Sequence, residues 1–146
     1  METPLKRVTI DGRPIAYREA GSGPAIFFMH GLGGNSVSWQ PQFAAFSTRY
    51  RVVAWDMPGF GSSDQLAAQP ASTRDYSAMA WRFMDAVGIA RASAVATSYG
   101  TVILADLAQS HSGCIGSMVF ACGVTGMGHL DSAERARLRG VRRGEI

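Results

Sequence analysis

Ser98 stands in the run Ala96-Thr97-Ser98-Tyr99-Gly100, between an apolar stretch at residues 92–95 and a helix-like segment at 101–109. A serine on such a strand-to-helix corner has its hydroxyl lifted clear of the sheet, and the first amides of the following helix face whatever the oxygen attacks. The corner needs small residues two before and two after the serine, because the strand end and the first helical turn nearly collide there. Ala96 and Gly100 meet that demand. The chemistry expected of this arrangement is nucleophilic attack by Ser98. A second loop, His30-Gly31-Leu32-Gly33-Gly34, follows the apolar residues 25–29. Its glycines allow the backbone to pass close to a bound carbonyl, so that an amide can meet the oxygen that becomes negative. Leu32 N–H is the expected donor and Tyr99 N–H the second, each worth about 3 kcal/mol of barrier lowering in a dry site.

These loops require a scaffold that brings strand ends together. Residues 25–29 and 52–55 are apolar throughout, and 92–96 and 117–121 are apolar but for Ser93 and Ser117; like strands covered on both faces, they read as a parallel sheet. Residues 7–10 and 15–19 flank Asp11-Gly12-Arg13-Pro14 and read as an N-terminal hairpin. Tyr76, Met79, Ala80, Phe83, Met84 and Val87 recur at helical spacing, opened by a Ser72 to Asp75 capping box and closed near Gly88. The alternation of strand and helix predicts an α/β fold with a mostly parallel sheet. Ligands bind past the carboxyl ends of such strands, where the loop at 30–34, the loop at 56–64 and the Ser98 corner all fall.

Composition limits the alternatives. A chain of 146 residues with 47% hydrophobic content can build one domain with a substantial core. Residues 1–7 lack the apolar stretch of a signal peptide, and no continuous apolar run approaches the roughly 18 residues needed to span a bilayer. A cytoplasmic protein without membrane partners is expected. Five of the fourteen basic residues, Arg135, Arg137, Arg139, Arg142 and Arg143, sit near the end of the chain, and the rest is close to neutral. That cluster reads as a solvated helix start, not as a nucleic-acid surface, because no aromatic platform or second basic face accompanies it. Cys114 and Cys122 flank or enter an apolar strand-like run and read as buried, reduced thiols.

The HGLGG loop at 30–34, the DMPGFGSSD loop at 56–64 and the ATSYG corner, in this order, resemble the α/β-hydrolase superfamily in its lipase, esterase and carbon–carbon hydrolase branch, from about Arg7 to Phe120. The resemblance implies that Ser98 is the nucleophile, that Leu32 and Tyr99 form the oxyanion hole, and that His30 orders its loop instead of serving as base. His30, Gly31, Trp39 and Tyr99 are expected to touch a small carbonyl substrate, with no metal and no cofactor. Two positions depart from the family pattern: Ala96 begins the corner where glycine is usual, and Thr101 stands where a second glycine is common. In this superfamily a carboxylate and then a histidine follow the nucleophile on later strands, after a lid excursion. The resemblance therefore implies that residues 1–123 are the N-terminal portion of the core, truncated before the last strands, and that 124–146 begin the lid. The expectation is an ester-, thioester- or ketone-cleaving core, inactive as it stands, with an apolar sheet edge at 117–121 open to self-association.

Other residues carry competing readings. His129 with Asp131 could replace the missing base, whereas His111 is expected at the far end of the helix behind Ser98. Asp56 reads as a turn-stabilising acceptor for backbone amides, and Asp106 as a surface or paired carboxylate. Trp39 reads equally as a wall of the acyl pocket and as core packing for a helix at 42–46. Two further classes compete with the enzyme. One is a dinucleotide-binding unit built on Gly31, Gly33, Ser36 and Asp56. The other is a non-catalytic ligand binder or inactive remnant.

Overall fold

The computed structural model describes residues 2–123 together with residue 133. His129, Asp131, the arginine cluster and the rest of the segment assigned to a lid lie outside the described residues. Strands β1 (Leu5–Ile10) and β2 (Arg13–Ala20) form the expected hairpin, with Val8 opposite Ile15. The turn is only Asp11-Gly12, both with positive φ (50° and 73°), the twist-compatible geometry that Asp-Gly favours. Strands β3 (Ala25–Met29), β4 (Arg51–Trp55), β5 (Ala92–Ser98) and β6 (Ile115–Gly123) complete a six-stranded sheet in the order β1-β2-β4-β3-β5-β6. The hairpin joins it antiparallel through β2 and β4, and every other pairing is parallel.

Alternation along β3 and β4 divides the core between two faces of the sheet. Phe27, Val53 and Trp55 pack against Phe83 of helix α2 (Thr73–Ala86) and Ile103, Leu104 and Leu107 of helix α3 (Tyr99–Ser110). Phe28, Val52 and Ala54 point the other way, onto Trp39 and Phe43 of a 3-10 turn at Ser36–Trp39 and the short helix α1 (Gln40–Phe46). Burial of each large side chain contributes about 1.5–3 kcal/mol, so the uniformly apolar strands follow from having both faces covered. Helix α2 begins with the capping box read from sequence: Ser72 accepts from Asp75 N, and the Asp75 carboxylate accepts from Ser72 N at 2.7 Å.

The last strand differs from expectation. β6 extends beyond 117–121 at both ends and shifts register against β5 near Ser98. Among the described residues β5 is its only strand neighbour, and Met118, Val119 and Phe120 are 45%, 56% and 47% exposed. Cys122, expected to be buried, is exposed for the same reason and takes a positive φ of 51°, whereas Cys114 is buried as expected.

At the opposite side of the sheet one carboxylate ties four elements together. Glu19 of β2 accepts from Lys6 of β1 at 2.9 Å and from Arg51 of β4 at 2.5 Å. Arg51 also donates to the carbonyls of Val87 and Gly88, at the end of α2, where a cation is favoured. Burial pushes the Glu19 carboxyl upward, but the hydrogen bonds and charges of Lys6 and Arg51 together outweigh it and hold it below its ordinary value of 4.5. The linkage has a definite sign: this stabilisation is complete above that ordinary value and is lost as the pH falls through the lower, folded-state value. Glu19→Gln is therefore expected to melt at lower temperature than the parent near neutral pH, with the gap closing in acid. A gap that stays constant from pH 7 to pH 3 would show that Glu19 acts through packing alone.

Candidate functional site

Ser98 is held in backbone strain by its surroundings. Its φ of 48° and ψ of −124° lie where residues with a Cβ are disfavoured, at a cost of about 1–3 kcal/mol. The strain persists because the strand before it and the helix after it are both fixed. Two glycines make the close approach feasible. A Cβ on Gly100 would lie 2.7 Å from the carbonyl oxygens of Met29 and His30, and one on Gly31 would lie 2.7 Å from Ser98 Cβ and 3.3 Å from its Oγ. The glycine loop after β3 therefore runs in van der Waals contact with the corner. Thr101, where the family often has glycine, donates its hydroxyl to the Ser98 carbonyl at 2.6 Å and so fastens the turn. Ser98 precedes α3 without capping it through its side chain, and its hydroxyl has no hydrogen-bond partner among the described residues.

The neighbouring loops are cross-linked by two buried polar side chains. His30 Nδ1 lies 2.7 Å from the Gly31 carbonyl, and Nε2 accepts from the Met57 amide at 2.8 Å. Because the amide can only donate, the ring is the neutral tautomer with its proton on Nδ1. Burial pushes its pKa below 6.5, against the raising effects of the Gly31 carbonyl and the Asp56 charge. With both nitrogens engaged, His30 orders the loop and has no lone pair free for Ser98. Asp56, 3% exposed, accepts from Ser36 N at 2.7 Å and from Ser62 N at 2.8 Å. It is the turn-stabilising acceptor of backbone amides read from sequence.

Between these loops lies an open cleft of about 320 Å³, lined by His30, Gly31, Leu32, Trp39, Gln42 and Ser98 among others. Trp39 lines the cleft, and its ring packs on Phe28 with centroids 4.7 Å apart, as the core-packing reading expects. Tyr99 departs from expectation. Its ring is not part of the cleft wall but packs edge-on against Tyr76, and its hydroxyl lies 3.2 Å from Thr73 Oγ1. Its amide stays at the first position of α3, beside Ser98. Asp106 accepts from Ser77 across the α2–α3 interface, a structural pairing. His111 closes the far end of α3 and stacks on Trp81, with ring centroids 4.5 Å apart and planes within 17°. Gln42 was not singled out in the sequence; its place three residues after Trp39 on one helical face was the available signal. Among the described residues no cluster of three His, Cys, Asp or Glu could hold a metal ion, and no helix is long and apolar enough to cross a membrane.

Two outcomes follow from this geometry. Gly100→Val should cost about 3 kcal/mol or more by driving side-chain atoms into the backbone of residues 29–30. Ser98→Ala should be neutral, and Ser98→Gly should gain about 1 kcal/mol by releasing the strained φ. Thermal melts compare them, and equal tolerance at both positions would contradict the strained corner. His30 supplies the second test. Its depressed pKa means that stability is complete above pH 6.5 and falls as the pH drops below it, since the unfolded chain then binds a proton that the folded chain refuses. His30→Asn should flatten that part of the stability profile, and an unchanged slope in urea titrations between pH 7 and 5 would exclude His30 as its source.

Comparison with known proteins agrees with this architecture. Residues 24–145 match the family described as the alpha/beta hydrolase fold. The chain is 29% identical to an (E)-2-((N-methylformamido)methylene)succinate hydrolase of Acinetobacter baylyi, over 78% of this chain and 43% of that protein. It is 30% identical to a 2-hydroxy-6-oxo-6-phenylhexa-2,4-dienoate hydrolase of Comamonas testosteroni, over 72% of this chain and 38% of that protein. An epoxide hydrolase from Vigna radiata superposes with a TM-score of 0.76 at 26% identity, covering 82% of this chain and 38% of the other. The chain thus spans less than half the length of these proteins. With the strand order, the glycine loops and the family match in agreement, the chain belongs to the α/β-hydrolase fold family.

Proposed function

We propose that this chain carries the nucleophile and oxyanion-binding half of a serine hydrolase site, acting on a small ester, thioester or activated ketone. The observation that carries this reading is the strained backbone of Ser98, whose hydroxyl has no partner among the described residues, beside the glycine loop. Ser98 Oγ forms a bond to the substrate carbonyl carbon while the carbonyl π pair moves onto oxygen. The amides of Leu32 and Tyr99 receive that oxyanion. Collapse returns the pair, breaks the bond to the leaving group and leaves an acyl-enzyme, which water opens by the same route.

The Oγ proton must leave for a base, and the described residues offer none at Ser98. His30 has both nitrogens engaged, and His111 lies at the other end of α3. A free serine hydroxyl is a weak nucleophile at neutral pH. The relatives extend well beyond the matched region, and the activity of a whole protein of this kind is part of the proposal.

A fluorophosphonate probe tests the nucleophile, since attack on phosphorus with loss of fluoride leaves a stable adduct. The expected result is slow phosphonylation located on Ser98 by peptide mass spectrometry, absent in Ser98→Ala and accelerated by added imidazole acting as the missing base. Labelling that is equal in parent and Ser98→Ala, or that maps elsewhere, would overturn the assignment.

A further inference from the structure

Away from the cleft, helix α2 holds a tryptophan in contact with solvent. Trp81 is 42% exposed, whereas Trp39 and Trp55 are buried. One face of its ring stacks on His111, with centroids 4.5 Å apart and planes within 17°. That contact fixes the indole from one side, so its exposed area belongs to the rest of the ring. Trp81 lines an open depression of about 340 Å³ between the last turns of α2 and the end of β1, with Asp85, Ile10, Asp11 and Arg82 also on its wall. Asp85 follows Trp81 by four residues, one turn further along the same helical face. None of these residues lines the cleft at Ser98. Arg82 brings no free positive charge, because both its terminal nitrogens donate to the carboxylate of Asp11. The Asp85 carboxylate has no ion pair and no hydrogen bond among the described residues. The depression thus carries an uncompensated negative charge next to a half-exposed indole.

We infer that Trp81 and Asp85 form a binding site for a guanidinium group, the side chain of an arginine, which lies on the free part of the indole and donates its N–H groups to the Asp85 carboxylate. An indole attracts a cation over its ring, and the planar guanidinium can stack there while its edge stays free to bond a carboxylate. Trp81 and Asp85, one helical turn apart, offer both contacts at once. A neutral group of the same shape loses the attraction of the ring and of the carboxylate together. The stack on His111 holds the indole in place beforehand, which lowers the ordering cost of binding. Tryptophan is also the residue type around which interaction surfaces concentrate their energy. The arginine can come from another protein or from the cluster between Arg135 and Arg143 of this chain. The site is independent of the chemistry proposed for Ser98.

Titration of the full chain with N-acetylarginine methylamide tests this, followed by ¹⁵N NMR through the Trp81 indole N–H resonance, which is assigned by its loss in Trp81→Phe. The arginine compound should shift that resonance saturably and leave those of Trp39 and Trp55 in place. N-acetylcitrulline methylamide, which has nearly the same shape without the charge, should not shift it. Asp85→Asn should weaken arginine binding about fivefold, the size of one exposed charge pair, while Asp85→Glu should retain most of it. Circular dichroism checks that both variants fold. A variant carrying Arg135→Gln, Arg137→Gln, Arg139→Gln, Arg142→Gln and Arg143→Gln separates the sources. A Trp81 resonance that moves in this ligand-free variant, with tighter binding of the arginine compound, places an arginine of the same chain in the site; an unchanged resonance and affinity leave the site to a partner's arginine. An equal response to the citrulline compound, unchanged affinity in Asp85→Asn, or no saturable shift in either the parent or the glutamine variant would overturn the site. Equal shifts at all three tryptophans would overturn it too, by showing that the compound acts on the whole surface.

Discussion

A carboxylate can be buried at tolerable cost only if its oxygens are hydrogen-bonded, and Asp56 satisfies this with backbone amides from two different loops. One oxygen holds Ser36, where the turn that carries Trp39 begins, and the other holds Ser62 in the loop after β4. His30 adds the second link, from the glycine loop to Met57 beside Asp56. Neither group reacts in the proposed chemistry. Together they decide where the glycine loop and the Trp39 turn stand, and the cleft exists between those loops. Gly61 belongs to the same constraint, because a side chain at its positive φ would occupy the space of the Asp56 carboxylate.

The corner at Ser98 stands on the other side of this arrangement and is maintained by packing. A conformation that costs the chain energy is kept because β5 is hydrogen-bonded between β3 and β6, and α3 is anchored by buried Ile103, Leu104 and Leu107. The Ser98 side chain does not cap the helix that follows it. Backbone strain concentrated at one residue in this way is a recurrent feature of functional sites.

The three relatives named above act on chemically different substrates according to their names, and one fold can host many reactions. In this chain the described wall is neutral and mixed, with an indole, a side-chain amide and exposed Leu32.

Much of the fold and the candidate site was legible in the residues, for reasons that are local. Asp-Gly suits its hairpin, and Ser72 with Asp75 closes a capping box over one helical turn, whereas the small size of Gly100 answers a collision with the distant backbone of residues 29–30. Uniform apolarity marks β3 and residues 52–55 of β4 because both faces of each are covered. What only the tertiary structure decided depends on which distant elements meet. The direction of the Tyr99 ring is set by α2, reached through Tyr76 and Thr73, and the exposure of Cys122 goes with a β6 whose only strand neighbour among the described residues is β5. Trp39 proved to be both wall and core because its ring lies between Phe28 and the cleft, and the engagement of both His30 nitrogens needed a loop 27 residues away. A side chain's type and its near neighbours follow from the sequence, but its partner across the sheet is fixed by packing, and no spacing along the chain encodes that contact directly.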